Sequence, residues 1–156
     1  MKQSAGILLY KIQQHEIQML LVHPGGPFWA KKDDGSWSIP KGEAEEGEEL
    51  FAAAKREFSE ETGLEAEGDF KLLTPLKQKS GKLIHAWALE GDMDVTQLKS
   101  NEFEIEWPPK SGKIKSFPEI DRAAWLVPEA ALVKILPGQQ GFIPELLSYL
   151  KTKGSN

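Results

Sequence analysis

Apolar and polar positions divide the first part of the chain into short blocks. Gly6 to Tyr10 and Ile17 to Val22 are apolar-rich runs separated by the polar stretch KIQQHE. Two such runs around a polar turn predict an antiparallel hairpin. The stretch HPGGPFWAKKDDGSW is dense in Gly, Pro and Asp and reads as a loop, followed by a short extended piece from Trp37 to Pro40. Glu48 to Glu61 has no Gly or Pro and is rich in Ala, Glu, Lys and Leu, so it is the strongest predicted helix. Gly63 stands where a C-cap glycine belongs.

Phe70 to Lys77 and Leu83 to Leu89 read as a second antiparallel pair turning near Lys79, Ser80 and Gly81. Phe103 to Trp107 and Ala123 to Val127 are two more expected strands, with PPKSGKIKSFPE between them as a basic, Pro-containing loop. Pro128 to Ile135 predicts a short helix with Pro128 in its first turn, and Pro144 to Lys151 a terminal helix. The pattern predicts one α+β domain over residues 1–156: a central helix packed on a sheet, with one or two helices near the C-terminus.

The 156 residues suffice for a core without staples. With 40% hydrophobic and 28% charged residues the chain has a globular balance. It has no cysteine, which excludes disulfides, zinc–thiolate sites and cysteine nucleophiles. The N-terminal apolar runs are broken by Lys11, Gln13, Gln14, His15 and Glu16, so neither a signal peptide nor a membrane span is expected. A cytoplasmic location is the expectation, with no membrane partner.

The net charge of −5 is unevenly placed. Ten glutamates fall between Glu43 and Glu67, with only Lys55 and Arg56 among them. Acidic runs are usually solvated helix faces; the spacing changes that reading here. Glu57, Glu60 and Glu61 stand at i, i+3 and i+4 and share one helix face, where like charges repel. They lie near the helix C-terminus, where the dipole also disfavours anions. Leu50, Ala54, Glu57 and Glu61 step along one line beside Phe51 and Phe58, so some of these carboxylates border the buried stripe. Burying an unpaired carboxylate costs several kcal/mol; a divalent cation removes that cost. Hard oxygen donors without cysteine favour Mg²⁺ or Mn²⁺. Because Mg²⁺ is commonly held by one or two carboxylates plus substrate phosphates, a phosphate-bearing substrate is implied as well.

Gly42 to Leu64, GEAEEGEELFAAAKREFSEETGL, fits the pattern G-x(5)-E-x(7)-R-E-U-x-E-E-x-G-U at every position. With residue frequencies of roughly 0.05–0.1, seven fixed matches arise by chance about once in 10⁸ windows. The segment resembles the Nudix box, and the resemblance implies a Nudix-type α/β/α sandwich with a mixed sheet and a central carboxylate-bearing helix. It further implies Glu57, Glu60 and Glu61 as metal ligands, with the Gly42 carbonyl as a further one. Arg56 is expected to hold a glutamate by a charge-assisted hydrogen bond, and Glu48 to add a ligand or a water-mediated contact. The general base is expected to be Glu60 or Glu57.

Outside the box, WSIPKGE (Trp37 to Glu43) is similar to the pre-box segment of diadenosine-tetraphosphate-hydrolase-like members. Lys41 and Trp37 are therefore expected to contact substrate. Glu119 is a candidate further ligand or base, with Glu104 and Glu106 as rivals. Phe28, Trp29, Trp37, Trp87, Trp107 and Trp125 are candidates to stack a nucleobase, although most buried tryptophans are core residues. Lys110, Lys113 and Lys115 make a basic loop suited to a long polyphosphate. Ser111 to Lys113 is not a phosphate loop, because the earlier glycine and the following Ser or Thr are missing. The three histidines are too scattered to argue a metal site.

The expected activity is Mg²⁺-dependent hydrolysis, with Mn²⁺ as a possible substitute, of the diphosphate linkage in a nucleoside diphosphate joined to another group. A dinucleoside polyphosphate is the first choice and a nucleoside triphosphate, including an oxidised one, the second. An RNA end ranks third because the chain is acidic. The rivals from other classes are a non-catalytic nucleotide-binding module, against which the intact glutamates argue, and a partner-binding domain with a merely solvated acidic helix.

Overall fold

The computed structural model describes residues 3–154. The chain runs β1 (Ser4–Gln13), β2 (Glu16–Pro24), β3 (Lys41–Glu43), α1 (Leu50–Thr62), β4 (Phe70–Leu72), β5 (Leu76–Lys77), β6 (Leu83–Glu90), β7 (Glu102–Glu106), β8 (Ile114–Pro118), β9 (Ile120–Leu126), α2 (Pro128–Lys134) and α3 (Phe142–Gly154). Seven strands form a mixed sheet in the order β4-β6-β1-β2-β9, with β3 beside β1 and β5 beside β6. The β1–β6 pair is parallel, and the other pairs of this sheet are antiparallel.

Alternation along β1 builds the layers, because successive strand side chains point to opposite faces. Ala5, Ile7 and Leu9 pack with Ala53, Ala54 and Phe58 of α1. Leu8 and Tyr10 pack with Ala131 of α2 and with Phe142, Ile143 and Leu146 of α3. The sheet is thus buried on both sides between helices, the expected α/β/α sandwich.

The β1–β2 hairpin is paired only near its turn, from Tyr10↔Met19 to Gln13↔Glu16. Beyond that the two strands part, and residues 38–43 fill the wedge. Ser38 exchanges backbone hydrogen bonds with Val22, the Ile7 amide donates to the Pro40 carbonyl, and β3 pairs with Ser4 to Gly6. Ile39, in the middle of this insert, is fully buried.

Four expectations need correction. The helix begins at Leu50, so Glu48 lies in the turn before it; the Glu48 amide donates to the Glu45 carbonyl, while the Glu45 amide donates to the Glu48 carboxylate. The expected strand over Phe70 to Lys77 is broken into β4 and β5, since Pro75 has no N–H and the Thr74 amide is taken by the Glu145 carboxylate of α3. Part of the expected basic loop is β8, which pairs with β7 in a separate two-stranded sheet where Phe103 opposes Phe117. The terminal helix starts at Phe142 because Phe142 and Ile143 are fully buried, and Pro144 still falls in the first turn, where no N–H is needed. Among the described residues no helix is long and apolar enough to cross a membrane.

Candidate active site

The Phe58 face of α1 packs into the core, and this places Glu57 and Glu61 at the border of the buried layer. Glu61 is 9% exposed. Its Oε1 accepts a hydrogen bond of 3.2 Å from the Lys41 amide. Burial, and then the charge of Glu57, pushes its carboxyl up to about 8. Burial and the charge of Glu60 raise Glu57 as well. The helix ends at Gly63, whose φ of 83° is left-handed and whose amide donates to the Ser59 carbonyl.

Arg56 organises the other side of the cluster. Its Nε and Nη2 donate to the two Glu48 oxygens at 2.8 and 2.9 Å, a bidentate pair. Its Nη1 donates to Glu57 Oε1 at 3.1 Å and to Glu60 Oε2 at 2.5 Å. The guanidinium thus spans three carboxylates. These hydrogen bonds raise Arg56 further above its ordinary value, and the Arg56 bond together with the Glu45 amide lowers Glu48 to about 2.

The insert that fills the β1–β2 wedge brings Gly42 against Glu57. A Cβ at residue 42 would fall 1.9 Å from Glu57 Oε2 and 2.1 Å from its carboxyl carbon. A side chain at residue 42 would have to displace the Glu57 carboxylate.

Glu61 also borders a cavity of about 190 Å³, shared with Lys41 and Glu119. Glu119 sits between β8 and β9; its amide donates to the Asn101 carbonyl and its carbonyl accepts from the Gly25 amide. Burial and the charge of Glu60 raise its carboxyl. Its two rivals stay outside: Glu104 is exposed, and the Glu106 carboxylate accepts from the Lys110 and Gly112 amides in the β7–β8 turn. The remaining walls come from Val22, Pro24, Trp29, Ser36, Ser38 and Leu136 among others.

The acidic set is chemically suited to a hard divalent cation. Its donors are all oxygens, Glu57 and Glu61 are pushed toward the protonated form by burial and by a neighbouring carboxylate, and the glycine cradle brings a backbone beside Glu57. Among the described residues, no three His, Asp or Glu side chains converge into a ready cage. Arg56 holds Glu57 and Glu60 in the present arrangement.

Trp37 does not sit where the pre-box resemblance placed it. It is 6% exposed and part of the core on the α2–α3 face. Its Nε1 donates to Asp33 at 2.8 Å, and Arg122 lies over its ring. Its neighbours Ser36 and Ser38 line the cavity instead, as alternation in an extended segment requires. Trp29 is the tryptophan in the cavity wall. Lys110, Lys113 and Lys115 are exposed on the β7–β8 hairpin and none of them lines the cavity.

His23 had no signal in the sequence. It is fully buried, with Nδ1 2.9 Å from the Asp121 carboxylate and Nε2 2.7 Å from the Lys32 carbonyl. It ties the loop that carries Trp29 to β9. Gln139 is equally hidden, at 1% exposed, and braces Ser38 and Ile39.

Comparison with known proteins agrees with the architecture. An RNA pyrophosphohydrolase from Novosphingobium aromaticivorans is 56% identical over 36 residues, 23% of this chain and 22% of that protein. Nudix hydrolase 7 of Arabidopsis thaliana is 29% identical over 114 residues, 68% of this chain and 38% of that protein. The chain spans only 12% to 38% of the length of three Arabidopsis relatives. In fold it is similar to the C. elegans Ap4A hydrolase in a binary complex, with a TM-score of 0.66 and 22% identity over 96% of this chain and 99% of that one. The NUDIX domain pattern matches residues 2–146, nearly the whole sequence, and the chain belongs to the NUDIX family.

Proposed function

We propose that the protein is a divalent-metal-dependent pyrophosphohydrolase that cleaves the diphosphate linkage of a nucleoside diphosphate joined to a further group. The observation that carries this reading is the position of Glu61. It belongs to the acidic face of α1 and also borders the cavity that Lys41 and Glu119 share. Phosphate held in that cavity lies beside the carboxylates.

Glu57, Glu60, Glu61 and the Gly42 carbonyl would hold Mg²⁺ or Mn²⁺. Such an ion lowers the pKa of the attacking water and neutralises charge on the bridging phosphates. The chain's own residues supply the rest. Arg56 fixes the carboxylates with charge-assisted bonds. Lys41 offsets phosphate charge at the cavity wall. Glu60 or Glu57 takes the proton of the water as its oxygen bonds to phosphorus and the bridging P–O bond breaks; Glu119 is the alternative base. Glu48, which accepts from Arg56 and the Glu45 amide, orients the arginine.

A dinucleoside polyphosphate is the first substrate, supported by the Trp37 to Glu43 resemblance and by the fold shared with the C. elegans Ap4A hydrolase. The test is a panel of diadenosine tetraphosphate, ATP, dGTP and 8-oxo-dGTP assayed with Mg²⁺, with products identified by mass. Highest kcat/KM on diadenosine tetraphosphate is the expected result. A clear preference for dGTP analogues, with no effect of joint Lys110→Ala, Lys113→Ala and Lys115→Ala changes on chain-length preference, removes the dinucleotide assignment and leaves the chemistry. No turnover on any diphosphate removes both.

A further inference from the structure

Trp29, Ser36 and Ser38 also line the cavity beside Glu61. Trp29 is half-buried, with the Lys32 ammonium 5.1 Å from its ring centroid on one face. The backbone holds it in place. The Lys32 amide donates to the Trp29 carbonyl at 2.9 Å, and the Lys32 carbonyl meets buried His23.

The two serines differ from ordinary pocket hydroxyls, because each has already committed its proton inside the protein. Ser36, 4% exposed, donates to the Asp33 carbonyl. Ser38 has two internal acceptors, the Ile39 carbonyl at 2.6 Å and Gln139 Oε1 at 3.3 Å. The orientation of Gln139 follows from the Ile39 amide, which can only donate and does so to Oε1 at 3.1 Å. Gln139 Nε2 then donates to Ser38 Oγ at 2.9 Å. What remains on both hydroxyls is lone-pair capacity, so in this arrangement the two serines accept hydrogen bonds from a ligand and offer none. Lys41, the single cation among the described lining residues, is tied to Glu61 through its backbone amide.

We propose that this wall of the cavity receives a nucleobase bearing an exocyclic amino group, with Trp29 as its stacking surface and Ser36 and Ser38 as acceptors for the amino hydrogens. The proposal rests on the nucleotide reading above. Bases that present a carbonyl in place of the amine meet acceptor against acceptor, which leaves buried polar groups unpaired. A flat aromatic wall holds any base by stacking, so Trp29 supplies affinity and the serines supply choice. His23 acts as a positioning residue, through the Lys32 carbonyl.

The experiment pairs ligands that differ only in that group. Metal-free protein is titrated with AMP and with IMP by calorimetry. The metal-loaded protein is assayed on diadenosine and diinosine tetraphosphates, on CTP and UTP, and on the base-free diphosphate phosphoribosyl pyrophosphate. Amino-bearing ligands are expected to win by about tenfold or more in both formats, the worth of one hydrogen bond. Trp29→Ala is expected to raise KM for nucleotides about tenfold while leaving the base-free diphosphate unchanged, Trp29→Phe to restore most of the loss, and Ser38→Ala to narrow the amino preference. Equal binding of AMP and IMP, or a Trp29→Ala loss shared by the base-free substrate, overturns the proposal. Hydrolysis without base preference defeats this inference alone. Absence of hydrolysis on every diphosphate, with AMP still preferred over IMP, defeats the enzymatic reading and leaves the base site standing.

Discussion

The backbone of Gly42 and the carboxylate of Glu57 occupy adjoining space with no room for a methyl group between them. Moving Glu57 aside breaks the hydrogen bond that its Oε1 accepts from Arg56 and disturbs a side chain that is 14% exposed. Gly42→Ala is therefore expected to displace the carboxylate. Turnover should fall by roughly 100-fold, the scale for a misplacement of about 1 Å, while stability changes far less. Steady-state kinetics with a thermal melt checks this; unchanged kcat would mean that Glu57 is not needed in its observed place.

Glu57→Gln and Glu60→Gln each remove a charge without removing volume. Both are expected to cut turnover by several orders of magnitude and to leave the far-UV circular dichroism spectrum intact. Activity is expected to vanish with EDTA and to return with Mg²⁺ or Mn²⁺. Near-normal rates in both variants, or full activity in metal-free buffer, would sink the assignment of these carboxylates.

Stability of the metal-free protein is expected to fall as pH rises. The folded Glu61 carboxyl titrates at about 8 against 4.5 for the free group, so between those values the folded state keeps a proton that the unfolded chain has released. Its contribution is full below about pH 4.5 and is lost as pH rises through about 8, on the order of a few kcal/mol in all. Glu57 shifts in the same direction. Thermal melts in EDTA across this window should show a declining Tm, Glu61→Gln should flatten the decline, and Mg²⁺ should stabilise most at the alkaline end. A Tm that rises from about pH 5 to about pH 8 in EDTA would contradict the buried acid.

The β1–β2 turn invites a stabilising change. Gln14 and His15 form its two-residue loop at φ 54° and 65°, a region favoured by Asn and Gly. Gln14→Asn with His15→Gly is expected to add roughly 1 kcal/mol by relieving that strain. Chemical denaturation measures it, with activity unchanged because neither residue lines the cavity. A loss of stability would show that the side chains of these residues contribute more than their backbone costs.

The regular elements near the box were legible because their signals are local. The β1 and β2 runs, the helix and its Gly63 cap each depend on residues within a few positions. The carboxylate face was legible for the same reason, since i, i+3 and i+4 spacing needs only the helix period. Trp37 was not. Whether Trp37 or its serine neighbours face the cavity depends on the parity of a short segment, and the register with Val22 sets that parity from outside the segment. Trp29, His23 and Gln139 act through partners that only the fold brings near, such as Asp121 and Ser38. The β8 strand was hidden because an exposed hairpin needs little burial and so leaves little apolar pattern.

Catalytic loops commonly exchange their amide hydrogens quickly, since they open without disturbing the core. The wedge between β1 and β2 forbids that here. The amides of Ile7, Val22 and Ser38 are bonded across both borders of residues 38–43, and the Lys41 amide is bonded to Glu61. Freeing this loop means stripping it from both central strands of the sheet, so its slow amides should exchange with the free energy of global unfolding. Whatever loosens the sheet should loosen the proposed hold on phosphate by the same measure.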